Sequence, residues 1–417
     1  MKNGQKMIVT VYILLTILAF IFVGVTTIGF GDVIPAVVLL WMSYFWFYLS
    51  YKSAEKGRTV SREQEVRKNN FDFFLEKHKM FVLVIALICS LSITKFYTGQ
   101  SVVSVFRNLL SGESLYLQYQ QHHAVNNIGV FSLTKIPYIL MNATLNFITF
   151  YSILFFIKVK EDTTRFDYLY VIMVSLVFWF FGLARGTNFE IFELCVAIIY
   201  SIFTRKSKRR KLKLKTKVLV AVLMLVACII FSWMYTSRGS SGKYITSEIL
   251  YNEREILPSI FPQMSLLIAR LGQYFSFGFF YTSATINKYL LQNIQLIFGS
   301  LFPGGLHLMG CSDLISETNK LIDAGTNWRP DIVNFMGDWG ILGIFAVYGL
   351  LGYVIRRLEL SSKTSMFYQL LSFYLLLQMF SFPIANFIVI SSANKIVLFF
   401  ACFVSLKESL NIKIKFK

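Results

Sequence analysis

Charge is scarce in this chain. Only 15% of its 417 residues are Asp, Glu, Lys or Arg, against 55% apolar and 17% aromatic residues, and a soluble surface for so long a chain cannot be built from so few polar groups. Cysteine and histidine are scarce too. Of the five cysteines, Cys89, Cys195, Cys228 and Cys402 fall inside or at the ends of apolar runs, where a thiol packs as a small apolar group. Cys311 stands alone in a loop, which excludes an intramolecular disulfide framework. The four histidines (His78, His122, His123, His307) are scattered and no cysteine–histidine spacing suits zinc, so neither a metal nor a cofactor is indicated. Internal repeats and Pro-rich or Ser-rich linkers are missing as well, which leaves a single integral membrane domain over 1–417.

What the chain has instead is long apolar runs. Several reach or approach the roughly 20 residues that a helix needs to cross a hydrocarbon core, and lipid offers no partner to a bare backbone group, so these runs must be helices. The expected spans are 7–27, 33–51, 80–98, 137–157, 167–184, 188–204, 218–235, 336–355, 366–382 and 386–406. Lys395 falls near the middle of the last and has to snorkel or face a polar cavity. The expected fold class is all-α, a polytopic transmembrane bundle of about ten spans with a large extracytoplasmic loop.

Basic residues set the expected orientation. With the N-terminus inside, the inner segments hold 29 of the 41 Lys and Arg residues, the excess that cytoplasmic loops carry in membrane proteins. Both termini are then cytoplasmic, and 52–79 and 205–217 are basic cytoplasmic loops. The first of these is expected to contain a short polar helix. The second, RKSKRRKLKLKTK, lies against anionic lipid headgroups rather than nucleic acid, since no binding module flanks it.

Two outer connections are long, 99–136 and 236–335, and a loop as large as the second is usually functional. Within it Leu290, Ile294, Ile297 and Leu301 form an apolar stripe, and with 266–280 they read as interfacial helices or a re-entrant hairpin.

Three constellations are candidates for chemistry. In GLARGTNFE, over 182–190, one helix ends, turns at glycine and re-enters, which puts Arg185 at the outer rim with Glu190 and Glu193 just inside. The competing reading has Glu190 complementing a helix dipole and Arg185 reaching lipid phosphate. In GTNWRPDIVNFMGDWGILG, over 325–343, Arg329 and Asp331 precede a span and Asp338 stands at its entry, where an aspartate also serves simply as a helix cap. In RLGQY, Arg270 and Tyr274 combine an arginine fork suited to diphosphate with a ring that stacks on sugars; anchoring to lipid is the alternative.

The layout, the turn at Arg185 and Gly186, the 270–281 stretch and the TN…GDWGILG entry together resemble the O-antigen and capsule repeat-unit polymerases of the Wzy type. The chain departs from them in one respect: the arginine–glycine spacing that describes some members in two outer loops has no placed counterpart. The resemblance implies an inverting, metal-independent glycosyltransferase that joins undecaprenyl-diphosphate-linked oligosaccharide units on the outer face of the membrane. Its partners would be that lipid-linked oligosaccharide, membrane lipids and a chain-length regulator. On this reading Arg185, Arg238, Arg270 and Arg329, with Tyr274, bind substrate, and Asp331, Asp338, Glu190 and His307 are the candidate bases. An O-antigen ligase would share layout and chemistry. A polyprenyl-phosphate-sugar transferase should carry acids in its first outer loop, which here is short, around Asp32. A flippase or other transporter would need cavity charges, of which Lys395 is the strongest.

Overall fold

The computed structural model of the chain describes residues 3–55, 69–126, 128, 132–160, 162–204, 252, 255–289, 330–360, 365–385 and 391–409. Among them, every regular element is helical. Six helices are long and apolar enough to cross a membrane: Gly4–Val23, Ile34–Ser53, Lys79–Thr98, Leu133–Val159, Arg165–Arg185 and Trp339–Leu360. They point to a multi-pass membrane protein. Helices over Phe189–Phe203, Met366–Ser381 and Ser392–Ser409 coincide with three more expected spans without meeting that standard. The expected span 218–235, the basic loop 205–217 and the stripe from Leu290 to Leu301 lie outside the described residues.

The chain divides into two compact units, each assembled from separate stretches. Unit 1 comprises 1–60, 240–361 and 375–387. It holds α1 (Asn3–Val23) and α2 (Ile34–Ser53), whose second residue, Pro35, sits where a missing N–H costs nothing. Three short helices from the 236–335 loop follow: α10 (Ile256–Ile260), α11 (Pro262–Phe275) and α12 (Phe277–Tyr289). The expectation of interfacial helices meets two of these separated by one residue, Ser276, with α11 packed on α1 and α12 on α2. The Ser283 Oγ accepts from the Ala36 N–H at 3.0 Å, satisfying a first-turn donor of α2.

The long helix α13 (Asp331–Leu360) runs beside α2. Gly352 packs on the backbone of Phe47, an approach that a side chain would block. Gly340 breaks α13 with φ 72° and ψ 179°, a conformation essentially reserved for glycine. Near the other end, the fully buried Arg356 donates to Glu359 at 3.0 Å and forms an ion pair with Glu55 at 3.1 Å, and Tyr51 donates to Glu359. That arginine, counted by sequence among cytoplasmic loop charges, is part of the packed interior.

Unit 2 comprises 61–239, 362–374 and 388–417. Its helices are α3 (Asn70–Lys77), α4 (Lys79–Thr98), α5 (Val102–Ser111), α6 (Leu115–Val125), α7 (Ile136–Ile153) with a π-helical turn over Leu154–Val159, α8 (Arg165–Arg185), α9 (Phe189–Phe203) and α15 (Ser392–Ser409). The first part of α14 (Met366–Ser381) belongs here, and its remainder from Leu375 to unit 1. Helix α4 packs on α7 and α8, and α15 packs on α7. Phe150 meets Phe178, Phe373 and Tyr374 with centroids 5.1–5.9 Å apart.

Sequence placed 99–136 as a loop, yet it carries α5 and α6, capped by Ser101 and Ser114. The short polar helix expected in 52–79 is α3, with Asn69 and Asp72 forming a capping pair. Lys395 needs a correction: Ser391 Oγ accepts from the Asn394 N–H at 3.2 Å and caps α15, so Lys395 stands in the first turn and not at mid-span.

Candidate functional site

Helix α8 ends at Arg185 because Gly186 turns left-handed, at φ 62°. Gly186 N–H donates to the Leu183 carbonyl (2.9 Å) and Thr187 N–H to the Gly182 carbonyl (3.0 Å), the paired bonds of a Schellman cap. Helix α6 closes over this turn. A Cβ on Gly186 would sit 2.6 Å from the Tyr116 backbone nitrogen, so only glycine fits both the conformation and the space.

The cap fixes where the Arg185 side chain goes. Its Nη2 donates to Glu190 Oε1, and the guanidinium lies 4.3 Å from the Phe181 ring centroid and 5.9 Å from that of Tyr119. With 19% of the side chain exposed, this arginine is held by protein and does not snorkel to lipid. Glu190 is occupied on both oxygens, since Thr187 Oγ1 donates to Oε2 at 3.0 Å. It therefore serves as the holder of Arg185.

One turn deeper, Glu193 is fully buried, with Oε1 accepting from Asn394 Nδ2. Its Oε2, the Arg185 Nε and both polar side-chain atoms of the buried Asn188 have no hydrogen-bond partner among the described residues. The Arg185 Nε–H and the Asn188 amide are uncommitted donors that can meet an acceptor oxygen, although Glu190 already answers the guanidinium charge. Among the described residues no group of three or more His, Cys, Asp or Glu could hold a metal ion.

Set against family models, curated proteins and solved structures, the chain matches none. The site has to be read from its own chemistry.

The remaining candidates fall in unit 1 or outside the described residues. Asp331 is buried at the start of α13, and its Oδ2 accepts from Gln378 Nε2 at 2.6 Å. Asp338 lies seven residues further along the same helix, two before the break at Gly340. Arg270 and Tyr274 share one face of α11, one turn apart, with Arg270 half-exposed and without an ion-pair partner among the described residues. Arg238, His307 and Arg329 lie outside the described residues. The structure thus brings Arg185 together with Glu190, and Arg270 with Tyr274.

Sequence reasoning missed α6. Tyr116, Tyr119 and His123 are three and four residues apart and share one helix face; Tyr119 packs near Arg185, and its ring centroid is 5.6 Å from that of His123. Burial pushes the pKa of His123 below the ordinary histidine value, and the neighbours Lys135, His122 and Arg185 push it the same way. The signal was available as spacing, once 115–125 is recognised as a helix.

Proposed function

We propose that this chain polymerises undecaprenyl-diphosphate-linked oligosaccharide units into O-antigen, capsule or exopolysaccharide, working on the outer face of the bacterial cytoplasmic membrane with both termini inside. The growing chain moves from its lipid diphosphate to a sugar hydroxyl of the next unit. Negative charge accumulates on the departing diphosphate, and fixed cations are what that charge requires.

The observation that carries this reading is Arg185: a half-buried guanidinium, oriented by Glu190 and two aromatic rings, at the end of a membrane-length helix. Arg238, Arg270 and Arg329 are the other candidate diphosphate ligands on this reading. Tyr274 offers a ring to a sugar. Asp331 and Asp338 remain acids positioned at the start of α13, and His307 belongs to the same outer loop. A chain-length regulator is a partner on this reading, and no metal is needed. A ligase would use the same cations on a different acceptor. A transporter would need charges lining a cavity, and Lys395, in the first turn of α15, is the candidate for that reading.

Replacing Arg185, Arg270 or Arg329 with alanine is expected to abolish long polysaccharide and leave single lipid-linked units, read by gel profile of the cell-surface polymer. Normal chain lengths in all three variants would remove the assignment.

A further inference from the structure

We propose that His123 of α6 is the proton acceptor for the incoming sugar hydroxyl at the Arg185 site. This rests on the polymerase reading above and deepens it.

Two adjacent histidines make the case by contrast. His122 is spent on structure: Nε2–H donates to the Phe96 carbonyl at 3.1 Å, and Nδ1 accepts from Asn126 Nδ2 at 3.1 Å. That arrangement uses both ring nitrogens and pins α6 to the end of α4. The His123 backbone carbonyl accepts from the Ile128 N–H at 3.0 Å, whereas its ring has no hydrogen-bond partner among the described residues and the residue is half-exposed. It shares a face with Tyr119, and Tyr119 flanks the Arg185 guanidinium. An accessible imidazole therefore stands one aromatic ring away from the cation assigned to the leaving group.

Its surroundings keep it ready to accept. The titratable groups that act on it are Lys135 before α7, His122 on its own helix and Arg185 from α8. Carboxylates nearby are turned elsewhere: Glu190 of α9 to Arg185, and Glu113 to the Gln118 amide at 2.6 Å. Lys95 of α4 donates to the Gly99 carbonyl. Partial burial first, and then the cations Lys135 and Arg185, disfavour the imidazolium and favour the neutral base.

The step balances without a further reactant. As the acceptor oxygen bonds to the anomeric carbon, its proton passes to an imidazole nitrogen of His123. The bond from that carbon to the diphosphate oxygen breaks, and its electron pair leaves with undecaprenyl diphosphate, whose charge is met by Arg185. The imidazolium then returns its proton to water.

The test uses the full chain in lipid vesicles, with undecaprenyl-diphosphate-linked repeat units extracted from cells lacking it. H123Q is expected to lengthen units about 10²- to 10⁴-fold more slowly than wild type. The wild-type rate should fall at acid pH with an apparent pKa below the ordinary histidine value, and H123Q should lack that limb. H123A should regain rate when imidazole is added, which a purely structural role would not give. H122Q, a control for folding around α6, should lose thermal stability and keep the acid limb. A wild-type rate in H123Q, or an unchanged acid limb in that variant, overturns the assignment. Wild-type vesicles that leave the units single at every pH overturn the polymerase reading itself.

Discussion

At the first turn of α8, Asp167 takes hydrogen bonds from Lys79, from Lys160 at 2.9 Å and from the Thr164 N–H at 2.9 Å, and Lys160 also pairs with Glu76 at 3.3 Å. Beside it, Asp72 accepts from Tyr151 at 2.7 Å, and Asn69 donates to Tyr151 at 3.0 Å. None of these side chains holds a buried polar atom without a partner. At the other end, Arg185 in the last turn of α8 does, and so do Asn188 and Glu193 at the start of α9. Buried polar networks stabilise when complete and are costly when incomplete. One end of α8 is therefore a lock, and the other is a place where the protein has left polar capacity for something else.

The largest effect that would sharpen this contrast is on the lock. Asp167 is fully buried in its ion pairs, and D167A would strand Lys79 with its charge unanswered. Breaking such a pair costs about 3–5 kcal/mol, so the unfolding midpoint in detergent should fall markedly, with polymer length unchanged in whatever protein survives. A variant with normal stability and short polymers would break the comparison. The same lock has an alkaline limit. Burial opposes the charge on Lys160, but its bonds to Asp167 and Glu76 outweigh this and raise its pKa above 10.5. Its contribution is thus fully present below 10.5 and is lost as pH rises through the raised value. Melting curves taken across strongly alkaline pH should show that loss in wild type and much less of it in D167A.

The next effect is smaller and falls on the other end. G186A would force a Cβ into a left-handed turn, at about 1–2 kcal/mol, and against the Tyr116 backbone as well. Since α6 rather than the bilayer-length core absorbs the displacement, polymer synthesis should suffer more than the melting temperature. Equal loss in both, measured on the same preparation, would mean that the turn only supports the fold.

Why some of this was legible in sequence and some was not follows from particular residues. The spanning helices declare themselves, because an apolar run of that length admits no other backbone: the run 80–98 is α4, Lys79–Thr98, and 167–184 is α8, Arg165–Arg185. The turn at Arg185 was legible from Gly186 alone. Where the arginine goes was not, because reaching out to lipid and folding back to Glu190 have the same spacing, and only the Schellman cap decides between them. The helices α5 and α6 were missed because each is too short to read as a span, and Gly112, left-handed at φ 75°, punctuates them like a loop. Without a helix over 115–125, His122 and His123 are merely adjacent; with one, they point different ways. Lys395 was misplaced because the apolar character of the sequence runs past the helix start, and nothing but the Ser391 cap marks where α15 begins.

The smallest effect tests the lock at its edge. Asn69 Oδ1 accepts from the Asp72 N–H at 2.9 Å and caps α3, while its amide donates to Tyr151. N69A removes a cap worth about 1 kcal/mol, yet Tyr151 still donates to Asp72, so that carboxylate is not left bare. The melting temperature should fall slightly, far less than in D167A, and polymer length should not change. The comparison depends on this gradation, because a satisfied network loses stability in proportion to the partner removed, whereas at the Arg185 end the partner that matters most is, on the proposed reading, the substrate. A change in polymer length in N69A, with stability intact, would place function at the Asp167 end of α8 and reverse the roles assigned to its two ends.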